Sequence, residues 1–193
     1  MEDFYTLQGE GFNTGKAACF LRIGGCDVGC NWCDVKESWN VSDFPLTPVE
    51  EIIQKTLIFP ARAVVITGGE PLLYNMDPLC RGLKEHGIQT YLETSGSCPV
   101  TGSWNWICVS PKKEAPPLDD LLAKADELKV IISDLHDFQW AESNKQGVRE
   151  SCYLFLQPEW SRRNEVTPLI VKYILTHPEW RISIQSHKYM GIP

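Results

Sequence analysis

The sequence of 193 residues predicts an α/β protein: a partial, open (β/α) barrel with a parallel sheet of about six strand–helix units. First, short β-branched runs alternate with helical stretches along the chain. Second, several of these runs, such as residues 64–66 and 130–132, are apolar throughout, as in strands covered on both faces. Third, glycine-rich or polar motifs follow the strands, and such sheets bind ligands at the carboxyl ends of their strands.

The length of the chain limits the architecture further. A closed eight-fold barrel needs about 250 residues, so an open barrel with trimmed helices fits this chain better. No linker, internal repeat or low-complexity segment interrupts the sequence. We therefore expect residues 1–193 to form a single domain.

Each short β-rich run defines one strand, and the helical stretches between the runs define the helices. Strands are predicted at residues 17–23, 63–67, 88–93, 106–110, 127–132, 152–157 and 181–185. Helices are predicted at residues 47–57, 77–86, 118–125, 135–145 and 165–177. The first helix is expected to begin with a capping box made of Thr47, Pro48 at the first helical position, and Glu50. The second is expected to end at Gly87.

The charge balance restricts the class of ligand. Eighteen basic against twenty-five acidic side chains give a net charge of −7, which would repel a phosphate backbone. The sequence therefore predicts a small-molecule ligand and no nucleic-acid partner. No run approaches the length of a membrane span, and the first residues lack the basic and apolar regions of a signal peptide. We expect a cytoplasmic protein with no membrane partner.

Eight cysteines are the unusual feature of the composition. In a reducing compartment they are better explained by metal binding or by burial than by disulfides. Five are scattered and are predicted to lie in the core, where a free cysteine behaves as a small apolar side chain: Cys19, Cys80, Cys98, Cys108 and Cys152. The other three, Cys26, Cys30 and Cys33, lie within eight residues and predict a metal centre.

The spacing of the three clustered cysteines is compatible with two kinds of metal centre, a structural zinc site and a [4Fe-4S] cluster. A structural zinc site needs four protein ligands, and no cysteine or histidine follows within twenty residues. A [4Fe-4S] cluster on three cysteines leaves one iron open for a ligand, which is a functional arrangement.

Two motifs resemble those of radical S-adenosylmethionine (SAM) enzymes. The first is Cys26-x-x-x-Cys30-x-Trp32-Cys33, and the second is Gly-Gly-Glu-Pro at residues 68–71, after a predicted strand. The resemblance implies a partial barrel with a [4Fe-4S] cluster and SAM, whose methionine group lies against the glycine-rich motif. Glycines let the backbone approach a ligand that side chains would block.

Four further segments narrow the resemblance to the 7-carboxy-7-deazaguanine synthase family: residues 4–11 (FYTLQGEG), Arg22, residues 110–112 (SPK) and residues 186–193 (SHKYMGIP). The family belongs to queuosine and 7-deazapurine biosynthesis. Membership would imply a homodimeric lyase that converts 6-carboxy-5,6,7,8-tetrahydropterin into 7-carboxy-7-deazaguanine with loss of ammonia. An electron donor such as flavodoxin or ferredoxin would be its protein partner.

The resemblance also implies a set of site residues. The cluster ligands would be Cys26, Cys30 and Cys33. Cofactor-binding residues would be Trp32, Cys33, Asp34, Gly69, Ser110, Lys112, Gln157, Pro158, Glu159 and Trp160. Substrate-binding residues would be Leu7, Gln8, Gly9, Glu10, Arg22, Thr67, His187 and Pro193. No protein side chain is expected to be catalytic beyond the SAM-derived radical.

Several of these residues also have a structural interpretation. Gln8 and Glu10 could cap a loop, although an amide and a carboxylate between glycines match the donors of a pterin. Arg22 lies inside an apolar strand, where it either pairs with a buried acid or binds the substrate carboxylate through its planar guanidinium. His187 could be an ordinary surface or core histidine.

The residues after the last clustered cysteine depart from the family pattern. Related enzymes often have threonine two residues after it, and its hydroxyl contributes to a Mg²⁺ ion. This chain has Val35 there, which offers no oxygen to a cation that prefers oxygen ligands. Either the ion is held by the substrate and other oxygens, or the ammonium of Lys36 replaces its charge. Asp34 either serves the ion or holds the loop.

Two other functions remain compatible with the cysteine motif. A glycyl-radical enzyme activating protein has the same cysteine spacing but would need a surface for a partner protein and not the segment at residues 7–10. A binding module stabilised by zinc would be colourless, whereas a protein with an iron–sulfur cluster is brown.

Overall fold

The structure, a computed structural model, describes residues 1–193 except for the side chain of Asp43. Its strands form one open sheet whose order follows the chain. The strands are β1 (Glu2–Leu7), β2 (Ala17–Ile23), β3 (Ala63–Gly68), β4 (Gln89–Thr94), β5 (Trp106–Val109), β6 (Glu127–Ile132), β7 (Tyr153–Pro158) and β8 (Trp180–Ile182). β1 is antiparallel to β2, and every later neighbouring pair is parallel. The predicted open, parallel α/β fold is confirmed.

Helices connect most of the parallel strands. They are α1 (Val49–Leu57), α2 (Asp77–Glu85), α3 (Asp119–Leu122), α4 (His136–Lys145), α5 (Arg163–Ile174) and α6 (Ser186–Met190). Short 3-10 turns lie at Lys36–Trp39, Val41–Asp43 and Pro71–Leu73. None of the helices in the described part of the chain is both long and apolar enough to cross a membrane.

The alternation of side chains along each strand separates the core from the barrel interior. On β6, Leu128, Val130 and Ile132 are fully buried in the main core, on the side that α4 covers. The side chains between them face the interior, where Lys129 and Ile131 line a cavity. The helices and the outer sheet face thus supply the main apolar core. The interior holds polar groups together with a smaller apolar cluster that includes Ala18, Phe20 and Val65.

A loop between β1 and β2, residues 8–16, crosses the barrel interior, and we call it the crossing loop. The Gly11 amide donates to Ser183 Oγ at 2.9 Å, just beyond β8. The Ser186 amide donates to the Gly9 carbonyl, also at 2.9 Å. The crossing loop therefore joins the two sides of the open sheet.

The edges of the fold differ from the sequence prediction. β1 was not predicted, because a short antiparallel edge strand with polar residues lacks the continuous apolar run of a buried parallel strand. β8 covers three residues rather than 181–185, and α3 covers four rather than 118–125. α6 was also missed, since its residues are all partly or fully exposed and carry no apolar stripe.

The predicted capping box is wrong, and the predicted stop is right. Pro48 is extended and is itself the N-cap of α1, so the helix begins one residue later and leaves Thr47 outside the first turn. The Thr47 hydroxyl donates instead to the Pro45 carbonyl. α2 ends at Glu85, and Gly87 has a φ of +69°, which a residue with a Cβ rarely adopts.

The scattered cysteines largely lie where we expected. Four of them, Cys19, Cys80, Cys108 and Cys152, are buried, and Cys98 is half-buried. All eight cysteines are free thiols. Burial raises the pKa of Cys152 to about 12, as expected for an inert core thiol.

Candidate active site

One cavity of about 290 Å³ opens at the carboxyl ends of the parallel strands. Every residue that we predicted to bind the cluster, SAM or the substrate lines this cavity. The three clustered cysteines lie on its wall, and the crossing loop contributes Gln8, Gly9 and Glu10. The residues that the sequence predicted to share one site therefore do lie around one cavity. The role of each residue remains a prediction.

The cysteine loop, residues 24–35, follows β2 and turns at two glycines. Gly25 and Gly29 have φ values of +105° and +71°, which suit glycine. The loop is held from outside by a hydrogen bond of 2.8 Å from the Tyr74 hydroxyl to the Gly24 carbonyl. The three thiols therefore lie on a loop whose turns depend on these two glycines.

The arrangement of the thiols suits a polynuclear centre. Among the described side chains, no three His, Cys, Asp or Glu residues converge closely enough to hold one metal ion. A cubane binds its three cysteines through three different irons, so the thiols need only share a wall. Burial raises the pKa of Cys30 to about 11, so its thiol is protonated until a metal displaces the proton.

The Gly-Gly-Glu-Pro segment packs directly against the cysteine loop. A Cβ at Gly69 would collide with the Gly25 carbonyl, so the two backbones can approach only because residue 69 is glycine. The Gly69 amide donates to Ile23 and the Glu70 amide to Gly25, at 2.9 and 2.8 Å. These bonds fix the position of one motif relative to the other.

Glu70 is buried, and its side chain joins the Gly-Gly-Glu-Pro segment to the residues at the end of β4. Its carboxylate accepts from the Leu72 amide at 3.1 Å and from the Thr94 hydroxyl at 2.7 Å. It also accepts from the Ser95 amide at 2.9 Å and hydroxyl at 2.5 Å. The Glu70 carboxylate, which lines the cavity, is thus hydrogen-bonded through both of its oxygens.

A charged triad occupies the middle of the barrel. Lys129 Nζ lies 2.7 Å from Glu10 Oε2 and 2.9 Å from Glu93 Oε2. Burial alone would raise the pKa of Glu10, but Lys129 and amide donors outweigh it and bring that pKa to about 2. Burial would likewise lower the pKa of Lys129, yet the neighbouring carboxylates raise it well above its ordinary value. Glu10 and Lys129 are therefore both charged at neutral pH.

Arg22 forms an ion pair with an acid on the surface. Its Nη1 lies 3.5 Å from Glu2 Oε2, and the Glu2 side chain is 51% exposed. Such a pair contributes little to stability. The guanidinium lies over the Phe4 ring and lines the cavity, where it is available to a ligand carboxylate. The structure thus favours the ligand-binding interpretation of Arg22 over a buried ion pair.

His187 lies against the crossing loop, where a Cβ at Gly9 would collide with its imidazole ring. Burial lowers the pKa of His187, with Glu10 opposing the shift. The ring is therefore neutral at pH 7 and has one nitrogen to donate and one to accept.

Aromatic and basic side chains face each other among the residues that we predicted to bind SAM. Lys112 Nζ donates to the Ser110 carbonyl and hydroxyl at 2.5 and 2.7 Å, and lies 5.4 Å from the centre of the Trp32 ring. Burial lowers the pKa of Lys112. Trp160 lies between two cations, with the Arg163 guanidinium 4.1 Å and Lys188 Nζ 4.9 Å from its centre.

The structure argues against Lys36 as a replacement for a magnesium ion. Val35 lines the cavity, as expected for the position of the family threonine. Lys36 is exposed, and its ammonium lies 5.7 Å from the centre of the Trp39 ring rather than on the cavity wall. The 3-10 turn that begins at residue 36 directs the side chain outward.

The sequence prediction assigned no role to several polar residues that line the cavity, although all of them except Lys129 belong to the polar or glycine-rich motifs at the ends of predicted strands: Glu70, Glu93, Thr94, Ser95, Lys129 and Gln185. One signal could have identified Lys129, because a lysine within the apolar run of β6 must have a buried partner. Glu70 belongs to a motif that we quoted without assigning the carboxylate. Gln185 belongs to the polar motif at the end of the last predicted strand, but that pattern does not identify its hydrogen-bond partners.

Comparisons with known proteins agree with this geometry. A family model of the radical SAM superfamily matches residues 21–102. The chain is 52% identical, over its full length and 91% of the relative, to 7-carboxy-7-deazaguanine synthase from Flavobacterium psychrophilum. It is 46% identical to the enzyme of that name from Synechocystis sp., over 99% of this chain and 91% of the relative. Among solved structures, QueE from Escherichia coli superposes with a TM-score of 0.83 at 32% identity, covering 96% of this chain and 92% of that one.

Proposed function

The chain belongs to the 7-carboxy-7-deazaguanine synthase family of radical SAM enzymes, and we propose that it converts 6-carboxy-5,6,7,8-tetrahydropterin into 7-carboxy-7-deazaguanine and ammonia. One observation carries the proposal: a single cavity is lined by three thiols on its wall and by a carboxylate, an amide and a guanidinium elsewhere. Family membership favours this function over a glycyl-radical activating protein and over a zinc-stabilised module.

The family implies a [4Fe-4S] cluster and SAM, and the residues present fit both. Cys26, Cys30 and Cys33 would hold the cluster, and the backbone at Gly69 would admit the methionine group of SAM. When bound and reduced by one electron, this pair supplies the 5′-deoxyadenosyl radical. The role of the chain is to aim the substrate at that radical and to exclude water and other hydrogen donors.

The ionised and neutral groups of the cavity match different parts of the pterin. The Arg22 guanidinium suits the substrate carboxylate, since both are planar and form two parallel hydrogen bonds. Glu10 is ionised and therefore accepts from the N–H groups of the pterin ring. His187 is neutral and can donate to a ring oxygen or accept from a ring nitrogen. Phe4 and Phe20 supply an apolar wall.

Magnesium does not fit the residues at the end of the cysteine loop. Val35 has no oxygen to offer. Asp34 Oδ2 already accepts from Gln185 Nε2 at 3.1 Å and from Lys188 Nζ at 2.5 Å. A small hard cation would have to displace an ammonium to bind there. We therefore propose no magnesium site at Asp34 and Val35.

The remaining partners are proposals that rest on the family. A protein electron donor such as flavodoxin or ferredoxin would reduce the cluster. It could approach through the cysteine loop, since Asn31 and Trp32 are exposed beside the cluster ligands. A homodimer and a cytoplasmic location remain predictions.

Anaerobic turnover tests the function directly. The protein is reconstituted with iron and sulfide, reduced with dithionite and given SAM with the tetrahydropterin. We expect a brown protein with about four irons per chain, and 7-carboxy-7-deazaguanine that accumulates only with pterin present. A colourless protein that binds one zinc, or a cluster-loaded protein that cleaves SAM but forms no deazaguanine, would refute the proposal.

A further inference from the structure

The residues just after β8 connect the two halves of the cavity. Gln185 Nε2 donates to Glu10 Oε1 at 2.8 Å and to Asp34 Oδ2 at 3.1 Å. Glu10 belongs to the crossing loop, and Asp34 follows the cluster ligand Cys33 directly. A single buried amide, 7% exposed, therefore holds one carboxylate from each side of the site.

Lys188, one turn further on, completes the connection. Its Nζ lies 2.5 Å from Asp34 Oδ2 and 3.2 Å from Gln185 Oε1. The same ammonium faces the ring of Trp160. The carbonyl oxygen of the amide is thus oriented by the lysine, which leaves the NH₂ group directed at the two carboxylates.

We propose that Gln185 is a positioning residue that couples the substrate loop to the cysteine loop, with Lys188 fixing the orientation of its amide. The inference rests on the proposed function, because Glu10 is assigned to the pterin and the cysteine loop to the cluster and SAM. It assigns Gln185 no contact with the reacting atoms. The amide acts by holding Glu10 and Asp34 in one relative geometry.

Such a connection has a thermodynamic consequence. A substrate that fixes Glu10 also fixes Gln185 and, through it, Asp34 and the adjacent cysteine loop. Binding of the pterin therefore favours the loop arrangement that binds SAM, and by linkage SAM favours binding of the pterin to the same degree. Coupling of this kind typically amounts to about fivefold or more in affinity.

The test measures binding rather than turnover. The dissociation constant of SAM is determined on cluster-loaded, unreduced enzyme with and without saturating pterin, by calorimetry under anaerobic conditions. We expect the pterin to tighten SAM binding about fivefold or more in the parent, and less than about twofold in Gln185→Met, which keeps the volume but removes the amide. The matched control is Ser186→Ala, which loses a hydrogen bond to Gly9 on the same segment but leaves the amide intact.

A second pair of variants covers the case in which Gln185→Met does not fold. Lys188→Met should also reduce the coupling, and Lys188→Arg should restore it, because the guanidinium can reach both oxygens. Turnover gives an independent readout: Gln185→Met should yield less product per 5′-deoxyadenosine than the parent, by about tenfold, as for the loss of a hydrogen bond to a charged group.

The outcomes separate this inference from the proposed function. The inference is overturned if the parent shows no coupling, if Gln185→Met or Lys188→Met retains the parental coupling, or if Ser186→Ala loses it equally. A parent that turns over the pterin without coupling refutes the inference alone. A parent that binds no pterin refutes the proposed function as well.

Discussion

Strand β6 carries an interior charge at each end of the barrel, and the two ends differ in how the charge is balanced. Near the cavity, Lys129 is matched by Glu10 and Glu93 at hydrogen-bond distance. Two residues earlier, Glu127 faces the same interior. Its Oε2 accepts from the Phe12 amide at 3.2 Å and from Trp106 Nε1 at 3.1 Å, whereas Oε1 is buried without a hydrogen-bond partner among the described residues.

The amino end of the barrel is closed by aromatic rings rather than by charge. Phe12 lies 4.7 Å from Trp106 and 4.4 Å from Tyr153, between ring centres, and these rings form what we call the aromatic floor. Gly11 makes the approach possible, because its φ is +64° and a Cβ there would collide with the Glu127 carboxylate. The crossing loop thus has a polar side that lines the cavity and an apolar side that seals the barrel.

The pKa values of two glutamates, Glu10 and Glu127, are shifted in opposite directions at the two ends. Glu10 is held ionised, with a pKa of about 2, because Lys129 pairs with it directly. Burial raises the pKa of Glu127 to about 7, since Lys129 offsets it only in part and Glu93 adds repulsion. Glu10, at the cavity end, is ionised and can accept hydrogen bonds from a ligand. Ionised Glu127, at the floor, destabilises the fold, and the packing of the aromatic rings offsets this destabilisation.

The largest predicted difference between the two ends is the effect of removing a cysteine on the iron content of the protein. We expect Cys33→Ala to abolish the cluster, because a methyl group cannot ligate iron. Cys152→Ala, on the floor side just before β7, should retain the full iron content and lose only about 1 kcal/mol of unfolding free energy through a small cavity. Iron, sulfide and the visible spectrum after reconstitution measure this. A Cys152→Ala protein without a cluster would contradict the ligand assignment.

Removing the balancing charge at the cavity end should have the next largest effect. Lys129→Met leaves two half-buried carboxylates, 19% and 21% exposed, without their buried cation. Breaking a fully buried ion pair costs about 3 to 5 kcal/mol, and we expect a loss at the lower end of that range. Urea unfolding of the cluster-free protein at pH 8 measures the loss. Adding Glu93→Gln to Lys129→Met should recover part of it, and a double variant as unstable as the single would show that the lysine acts by packing alone.

The two ends also differ in how well the sequence predicts them. The cavity end is marked by glycines, cysteines and short motifs after the strands, so its residues could be named from the sequence together with the family resemblance. Each parallel strand was likewise found from its apolar run. These patterns involve residues close together in the chain, and such patterns can be recognised in a single sequence.

The floor and the ion pairs of the interior could not be predicted in this way. Glu127 and Trp106 meet only because β5 and β6 are neighbours in register. Gln185 reaches Asp34 across 151 positions of the chain. β1 and α6 carry weak local patterns, and their positions depend on β2 and on the crossing loop. Contacts between residues far apart in the chain produce no regular spacing in the sequence, so sequence analysis cannot identify them.

Glu127→Gln should change how the stability of the protein depends on pH. Because the folded-state pKa of Glu127 is raised, the folded protein binds more protons than the unfolded chain between about pH 4.5 and 7, and its stability falls as pH rises through this range. The cost at pH 8 is about 3 kcal/mol. Glu127→Gln should therefore be more stable than the parent by about that amount at pH 8, with little difference at pH 4.5.

Thermal and urea unfolding between pH 4.5 and 8.5 check this prediction. Glu165→Gln, an exposed acid on α5, is the matched control and should follow the parental curve. A Glu127→Gln curve parallel to the parent would mean that Glu127 is not ionised differently in the folded state. Turnover should be unchanged, since Glu127 does not line the cavity.

The smallest expected effect separates the hydrogen bond at the floor from the aromatic packing. Trp106→Phe keeps a ring against Phe12 but removes the indole donor to Glu127 Oε2, and at pH 8 a hydrogen bond to a charged acceptor contributes about 1.5 kcal/mol. In a Glu127→Gln background the acceptor is neutral, and the same substitution should cost about half as much, because charged hydrogen bonds are roughly twice as strong. Unfolding free energies of the four proteins give the coupling. Equal losses in both backgrounds would mean that Trp106 contributes through packing only, and the floor would then be sealed by the rings without help from the carboxylate.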